Sequence, residues 1–170
     1  MFKKFFFIFV LSFNFIKYLY SKILTTNQSN DLESFILKNK KEYKNIFHFT
    51  RFYGNAFGGI EKTIEQIVLN SDSDTKHWVI TTSKKKNFIE KKSIGKKDFF
   101  VMYFKETIFL GGILFSVNLF KSYKVFYDNS DIIHFHCPWP FLDLIYLYNF
   151  FFKGLIKKKV IVSCHAYITK

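Results

Sequence analysis

Arginine is nearly missing from this chain: of 26 basic residues only one, Arg51, is an arginine. Arginine is the side chain that grips phosphates and base edges through two parallel hydrogen bonds. Its scarcity argues against a nucleic-acid reader despite a net charge of +13. The same one-sided choice appears among apolar residues, with 25 phenylalanines. A drift of that kind fits genome-wide codon pressure, so the lysines are read first as a solvated surface and second as an attraction to anionic membrane. Cysteine is also scarce. Cys137 and Cys164 are the only two, which excludes a secreted disulfide scaffold and fits a reducing compartment. Two prolines and seven glycines exclude a collagen-like chain. No internal repeat is present, and no apolar run reaches the roughly 20 residues that cross a bilayer as a helix.

What the chain has is enough apolar material for one core. It holds 170 residues, 49% hydrophobic and 22% aromatic, which excludes disorder and leaves little room for two domains. Residues 1–44 read as an amino-terminal hydrophobic extension and linker. Met1-Phe-Lys-Lys and the apolar run Phe5 to Ile16 resemble a signal peptide without a small-residue cleavage site. An uncleaved interfacial anchor and a buried or misassigned extension are the two leading readings of that run, with true secretion behind both. Thr25 to Asn30 reads as a linker, and Leu32, Phe35 and Ile36 place a short helix over 31–43.

From Asn45 the pattern is regular. Short apolar strands are expected at 46–50, 78–81, 99–104, 131–136 and 160–164. The spacing of Ile60, Ile64, Ile67 and Val68 predicts an amphipathic helix. Further helices are expected over 108–126, although Gly111 and Gly112 interrupt it, and over 141–152. Lys84 to Asp98 reads as a charged connection. Strands alternating with helices predict an α/β, Rossmann-like parallel sheet with helices on both faces over residues 45–170.

Ligands of such sheets bind beyond the carboxyl ends of the strands. The first strand is followed by Gly54-Asn-Ala-Phe-Gly58-Gly59-Ile60-Glu61, the fourth by His136-Cys-Pro-Trp139-Pro, and the fifth by His165. Gly58 and Gly59 open a helix where backbone N–H groups suit a phosphate. Neither G-x-G-x-x-G nor the P-loop pattern is present, so a resident nucleotide cofactor loses its main support. His134, His136, Cys137, Cys164 and His165 could be assembled into an N/S metal set. No C-x-x-C or H-x-x-x-H spacing supports one, the fold accounts for these residues without it, and no metal is expected. His165, at a strand end, is the better candidate for contact with a reacting centre.

In order, the GGIE helix start, the D-I-I-H-F-H strand and the V-I-V-S-C-H strand resemble the amino-terminal half of GT-B glycosyltransferases of family 4. The resemblance runs from Asn45 to about Lys170. It implies an acceptor-side Rossmann-like domain of a retaining enzyme that moves a hexosyl group from a nucleotide sugar to a glycan or lipid-linked acceptor. It implies no cofactor. Carried over by motif, His165 is the catalytic histidine at the donor sugar, Gly58, Gly59 and Glu61 lie at the phosphate-facing helix start, and His136 and Trp139 line the acceptor side. The family's common acidic residue after that histidine is replaced by Ala166-Tyr167. Lys170 precedes the family's donor domain and its paired glutamates, so the isolated chain is expected not to turn over. The expected setting is surface polysaccharide or glycolipid synthesis, in the cytoplasm or peripherally on the inner face of the cell membrane. The Phe- and Lys-rich stretch Ile108 to Phe126 is the expected membrane contact. The alternatives are a non-catalytic remnant, a subunit needing a separate donor-domain polypeptide, and a small α/β protein binding a ligand or metal.

Overall fold

A computed structural model describes residues 27–40, 42, 44–54, 58–110, 113–153 and 158–165. The apolar run Phe5 to Ile16 lies outside them, as do Ala166 and Tyr167. The first element is helix α1, Asn27–Asn39, which takes in part of the stretch read as a linker. Strand β1 (Lys44–Phe49) leads to helix α2 (Gly59–Asn70), and strands β2 (Thr75–Ser83), β3 (Phe88–Ile94) and β4 (Lys97–Lys105) follow. A small hairpin of β5 (Ile108–Leu110) and β6 (Ile113–Phe115) precedes helix α3 (Val117–Asn129). Strand β7 (Ile132–Cys137), helix α4 (Pro140–Lys153) and strand β8 (Lys159–Cys164) complete the order.

Six strands form one sheet in the order β3-β4-β2-β1-β7-β8. Every neighbouring pair is parallel except β3 with β4. The expected Rossmann-like α/β class is therefore what the chain adopts. Two segments differ from the sequence reading. Lys84 to Asp98 is more than a connection, because β3 pairs antiparallel along β4 from Phe88↔Tyr103 to Ile94↔Lys97. The helix expected from 108 begins only at Val117, after the hairpin, where the Ser116 hydroxyl accepts the Leu119 N–H at 3.3 Å and caps it.

Alternation along the strands divides the core. Phe47, Phe49, Trp78, Ile80, Phe100 and Ile133 face α1, α3 and α4, which contribute Ile36, Leu119, Phe126 and Ile145. Val79, Phe99, Val101 and Tyr103 face α2 through Ile64 and Val68. Trp78 is stacked between Phe47 and Phe100, with ring centroids 5.5 and 5.2 Å apart. Each large apolar side chain buried in this way contributes about 1.5–3 kcal/mol. Leu119, Tyr123 and Phe126 are fully inside, so the described part of Ile108–Phe126 turns its apolar residues to the core. Those three side chains are therefore not available to the expected membrane face.

At the opposite end from the strand tips, Asp131 ties β1 to β7. Its carboxylate accepts the Asn45 backbone N–H at 2.7 Å and lies 3.3 Å from the Asn45 amide, and its own N–H donates to the Asn45 carbonyl at 2.9 Å. The Asn45 side-chain oxygen in turn accepts the Trp78 indole N–H at 3.4 Å. The aspartate of the D-I-I-H motif is thus a clamp on strand placement, remote from the carboxyl ends of the strands.

Candidate functional site

From β1 the chain moves outward through β2 to β4, then returns to place β7 on the other side of β1. That reversal makes the boundary between β1 and β7 the switch point at which a parallel sheet opens a crevice. His48↔His134 are register partners across it. Residues two apart on a strand share a face, so His134 and His136 lie on one side of the sheet with His48.

The result is a row of imidazoles. His48 Nε2 is 2.9 Å from His77 Nδ1, His48 Nδ1 is 3.2 Å from His136 Nε2, and His136 Nδ1 is 3.1 Å from His165 Nε2. His134 stands beside this row, with Nε2 2.8 Å from the Ser163 hydroxyl and its ring centroid 4.1 Å from that of His136. All five histidines of the chain are accounted for in this group. Four are buried and His165, at the end of β8, is half-buried.

Burial holds the inner members neutral. Desolvation, reinforced by His77, His136 and His134, drives His48 well below the ordinary histidine range. Desolvation and the cations of Lys97, Lys44 and Lys76 bring His77 down to about 4. Desolvation with His134 and His165 brings His136 down to about 3, and desolvation followed by His165 also lowers His134. At neutral pH each is an uncharged imidazole with one donor and one acceptor nitrogen.

Among the described residues, one nitrogen each from His48, His134 and His136 lie within 4.8 Å of one another, as a metal's ligands could. Those of His48 and His136 already have partners on both sides, so a cation would have to displace hydrogen bonds. Cys137 points away from the row, packing against the cluster under α1, α3 and α4, and Cys164 is exposed. The structure does not bring the thiols and imidazoles into one set.

The remaining predicted residues fall around the same strand ends. Gly58 is the residue before α2, with extended backbone and no side chain to cap the helix, and Gly59 is its exposed first residue. A Cβ at Gly59 would meet no atom within 4 Å, so packing within the described residues does not demand glycine there. Glu61, in the first turn of α2, accepts the Gly54 backbone N–H and anchors the loop after β1. Gly54 has φ +94° and a Cβ there would stand 2.8 Å from the Tyr103 hydroxyl, so this position does require glycine. His136 is buried between His48 and His165. Trp139 is buried too, edge-on to Phe141 at 6.1 Å in the main cluster. Sequence reasoning missed His48 and His77. Each sits inside an apolar strand, and only strand register shows that they continue the line of His136 and His165.

No protein-family model matches this chain, and no solved structure matches it. Two curated proteins do. The chain is 30% identical over 123 residues, 72% of its length, to the O-antigen chain mannosyltransferase C of Escherichia coli. It is 28% identical over 127 residues, 74% of its length, to the D-rhamnosyltransferase WbpZ of Pseudomonas aeruginosa. It spans about a third of each of these relatives, 31% in both cases. The sheet and its histidine-lined switch point thus belong to a chain similar, over most of its length, to sugar transferases.

Proposed function

We propose that this chain is the acceptor-side part of a family 4, GT-B glycosyltransferase. It takes part in transfer of a hexosyl group, with retention, from a nucleotide sugar to a glycan or lipid-linked acceptor in surface polysaccharide or glycolipid synthesis. The similarity to a mannosyltransferase and a rhamnosyltransferase carries this reading. Such chemistry consists of positioning the reactants and stabilising the departing diphosphate. Here the switch-point crevice supplies one wall. The open backbone at Gly58 and Gly59 meets a phosphate, and His165 hydrogen-bonds the sugar near the reacting carbon. A donor domain, on the same or a separate polypeptide, supplies the opposite wall and the nucleotide site.

The test is a binding map. A short-chain polyprenyl-diphosphate-linked sugar, added to the labelled protein, is expected to shift backbone resonances of residues 51–61, 136–140 and His165. Shifts confined to other surfaces, or none from folded protein, would overturn the reading. Gly59→Ala sharpens it. Because the new methyl meets nothing, folding stability is expected to stay within about 0.5 kcal/mol or rise slightly. Affinity for the acceptor is expected to fall roughly tenfold, since the methyl occupies the approach to the backbone. Equal affinity for the two forms would remove the glycine pair from the site.

A membrane role for this reading rests on α4. Leu144, Leu147 and Phe151 are 36%, 45% and 65% exposed, and their spacing of three and four puts them on one stripe of the helix. A lipid-linked acceptor would be met at a surface of that kind. Among the described residues no helix is long and apolar enough to cross a membrane. The protein is expected to sediment with anionic vesicles at low salt, and the Leu147→Glu, Phe151→Glu double variant to stay in the supernatant. Wild-type protein remaining in the supernatant would end the membrane role.

A further inference from the structure

We infer that His77, His48 and His136 are positioning residues that fix the tautomer of His165, so that it presents an Nδ1–H donor to the crevice. This rests on the reading of that crevice as the acceptor-side site, and the residues act through His165 without touching a ligand themselves.

The three contacts all have one form. The Nδ1 of one imidazole faces the Nε2 of the next, from His77 to His48, to His136, to His165. A neutral imidazole carries one proton. If any member donates from Nδ1, its neighbour receives on Nε2 and must itself carry the proton on Nδ1. The file therefore has two self-consistent states. All four rings are Nδ1–H, with the N–H bonds running from His77 toward His165, or all four are Nε2–H and run the other way.

The far end chooses between them. His77 Nε2 is buried and has no hydrogen-bond partner among the described residues. In the Nε2–H state that atom is a stranded donor. In the Nδ1–H state the same atom is an unprotonated lone pair. Buried N–H groups are the polar groups least often left orphaned. The buried, partnerless Nε2 therefore favours Nδ1–H, against the Nε2–H form that neutral histidine prefers in water. The outcome at the crevice is that His165 receives on Nε2 and donates from Nδ1. That polarity suits an oxygen acceptor, such as a sugar hydroxyl or phosphate oxygen, and it gives the ring no lone pair with which to act as a base.

A metal ion is the competing occupant of these nitrogens. It would need the lone pairs of His48 and His136 that the file uses internally.

The experiment is a long-range proton–nitrogen correlation spectrum of the chain labelled with nitrogen-15 histidine, at pH 7.5 and without ligand. The expected result is the Nδ1–H pattern for His77, His48, His136 and His165, assigned by single His→Gln variants. His77→Asp places an acceptor-only group against His48 Nε2. It is expected to abolish the Nδ1–H pattern at His165, three hydrogen bonds away, and replace it with Nε2–H. A purely structural role for His77 would leave the tautomer of His165 unchanged. An Nε2–H or mixed pattern at His165 in the wild type overturns the inference, whether or not the aspartate variant folds. So does uptake of one equivalent of zinc with shifts at His48, His134 and His136. Because the spectrum is taken without ligand, its failure leaves acceptor binding to be judged on its own. Loss of acceptor binding with the Nδ1–H file intact sinks only the reading of the crevice.

Discussion

Acidifying the protein from pH 7 to pH 5 is expected to cost about 4 kcal/mol of folding stability from two histidines alone. In the unfolded chain each imidazole takes up a proton near the ordinary value of about 6.5. In the folded chain His77 resists protonation down to about 4 and His136 down to about 3. Both folded values are depressed, so between them and about 6.5 the unfolded state binds more protons than the folded one. Stability then rises with pH in that window. The contribution is fully present above about pH 6.5 and is lost as the pH falls toward 4. Each imidazole removes about 1.4 kcal/mol per pH unit, or about 2 kcal/mol each at pH 5. His48 and His134 are shifted in the same direction. Because the rings share hydrogen bonds, the first proton to enter breaks the file and its neighbours become easier to expose. Domains of this size are stable by about 5–15 kcal/mol, so the loss is read as a fall in the free energy of urea unfolding between pH 7 and pH 5, followed by circular dichroism. His77→Gln removes one titrating group and should shallow that pH dependence by about one proton. An unfolding free energy that does not change between pH 7 and pH 5 would show that the row is hydrated and not held neutral.

The parts of this fold that were readable from sequence are those where burial leaves a mark on composition. Strands β1, β2, β4 and β7 are buried on both faces, and each carries a short, mainly apolar run. Strand β3 left no such mark. Glu90 and Lys91 are exposed on an edge strand whose backbone does the pairing, so its side chains look like those of a loop. The early start assigned to α3 came from apolar content that continues past the Gly111-Gly112 interruption, and Ser116, three residues before Leu119, was the usable signal. In the site, His136 and His165 stood out because they lie at strand ends. His48 and His77 did not, because an imidazole inside a buried strand has no periodicity of its own. What joins the four is register across β2, β1, β7 and β8, and register is a property of the assembled sheet.

Asp131→Ala is expected to destabilise the domain by about 3 kcal/mol while leaving the crevice chemistry intact. The carboxylate is a charged acceptor for the Asn45 backbone N–H, and hydrogen bonds to charged groups are worth about 1.5–3 kcal/mol. Asn45 is only 3% exposed. Truncation leaves its N–H with no acceptor from residue 131 and frees an amide that the Trp78 indole depends on. Asn45 lies in β1 and Asp131 immediately precedes β7, so loss of the clamp loosens the starts of β1 and β7 together. For a domain of this length the expected fall in melting temperature is roughly 6–12 °C. Asp131→Asn keeps an acceptor oxygen without the charge and should cost about 1 kcal/mol. The distinguishing result is at the other end of the strands. At a temperature where Asp131→Ala remains folded, its affinity for the lipid-linked sugar should match wild type, whereas Gly59→Ala should show the opposite pattern, stable but weak in binding. If Asp131→Ala loses affinity without losing stability, the aspartate acts in the site and the clamp is not its role. The D-I-I-H-F-H segment thereby separates into two functions along one strand. Its first residue sets where β7 lies against β1, and its last histidine joins the row that reaches the crevice.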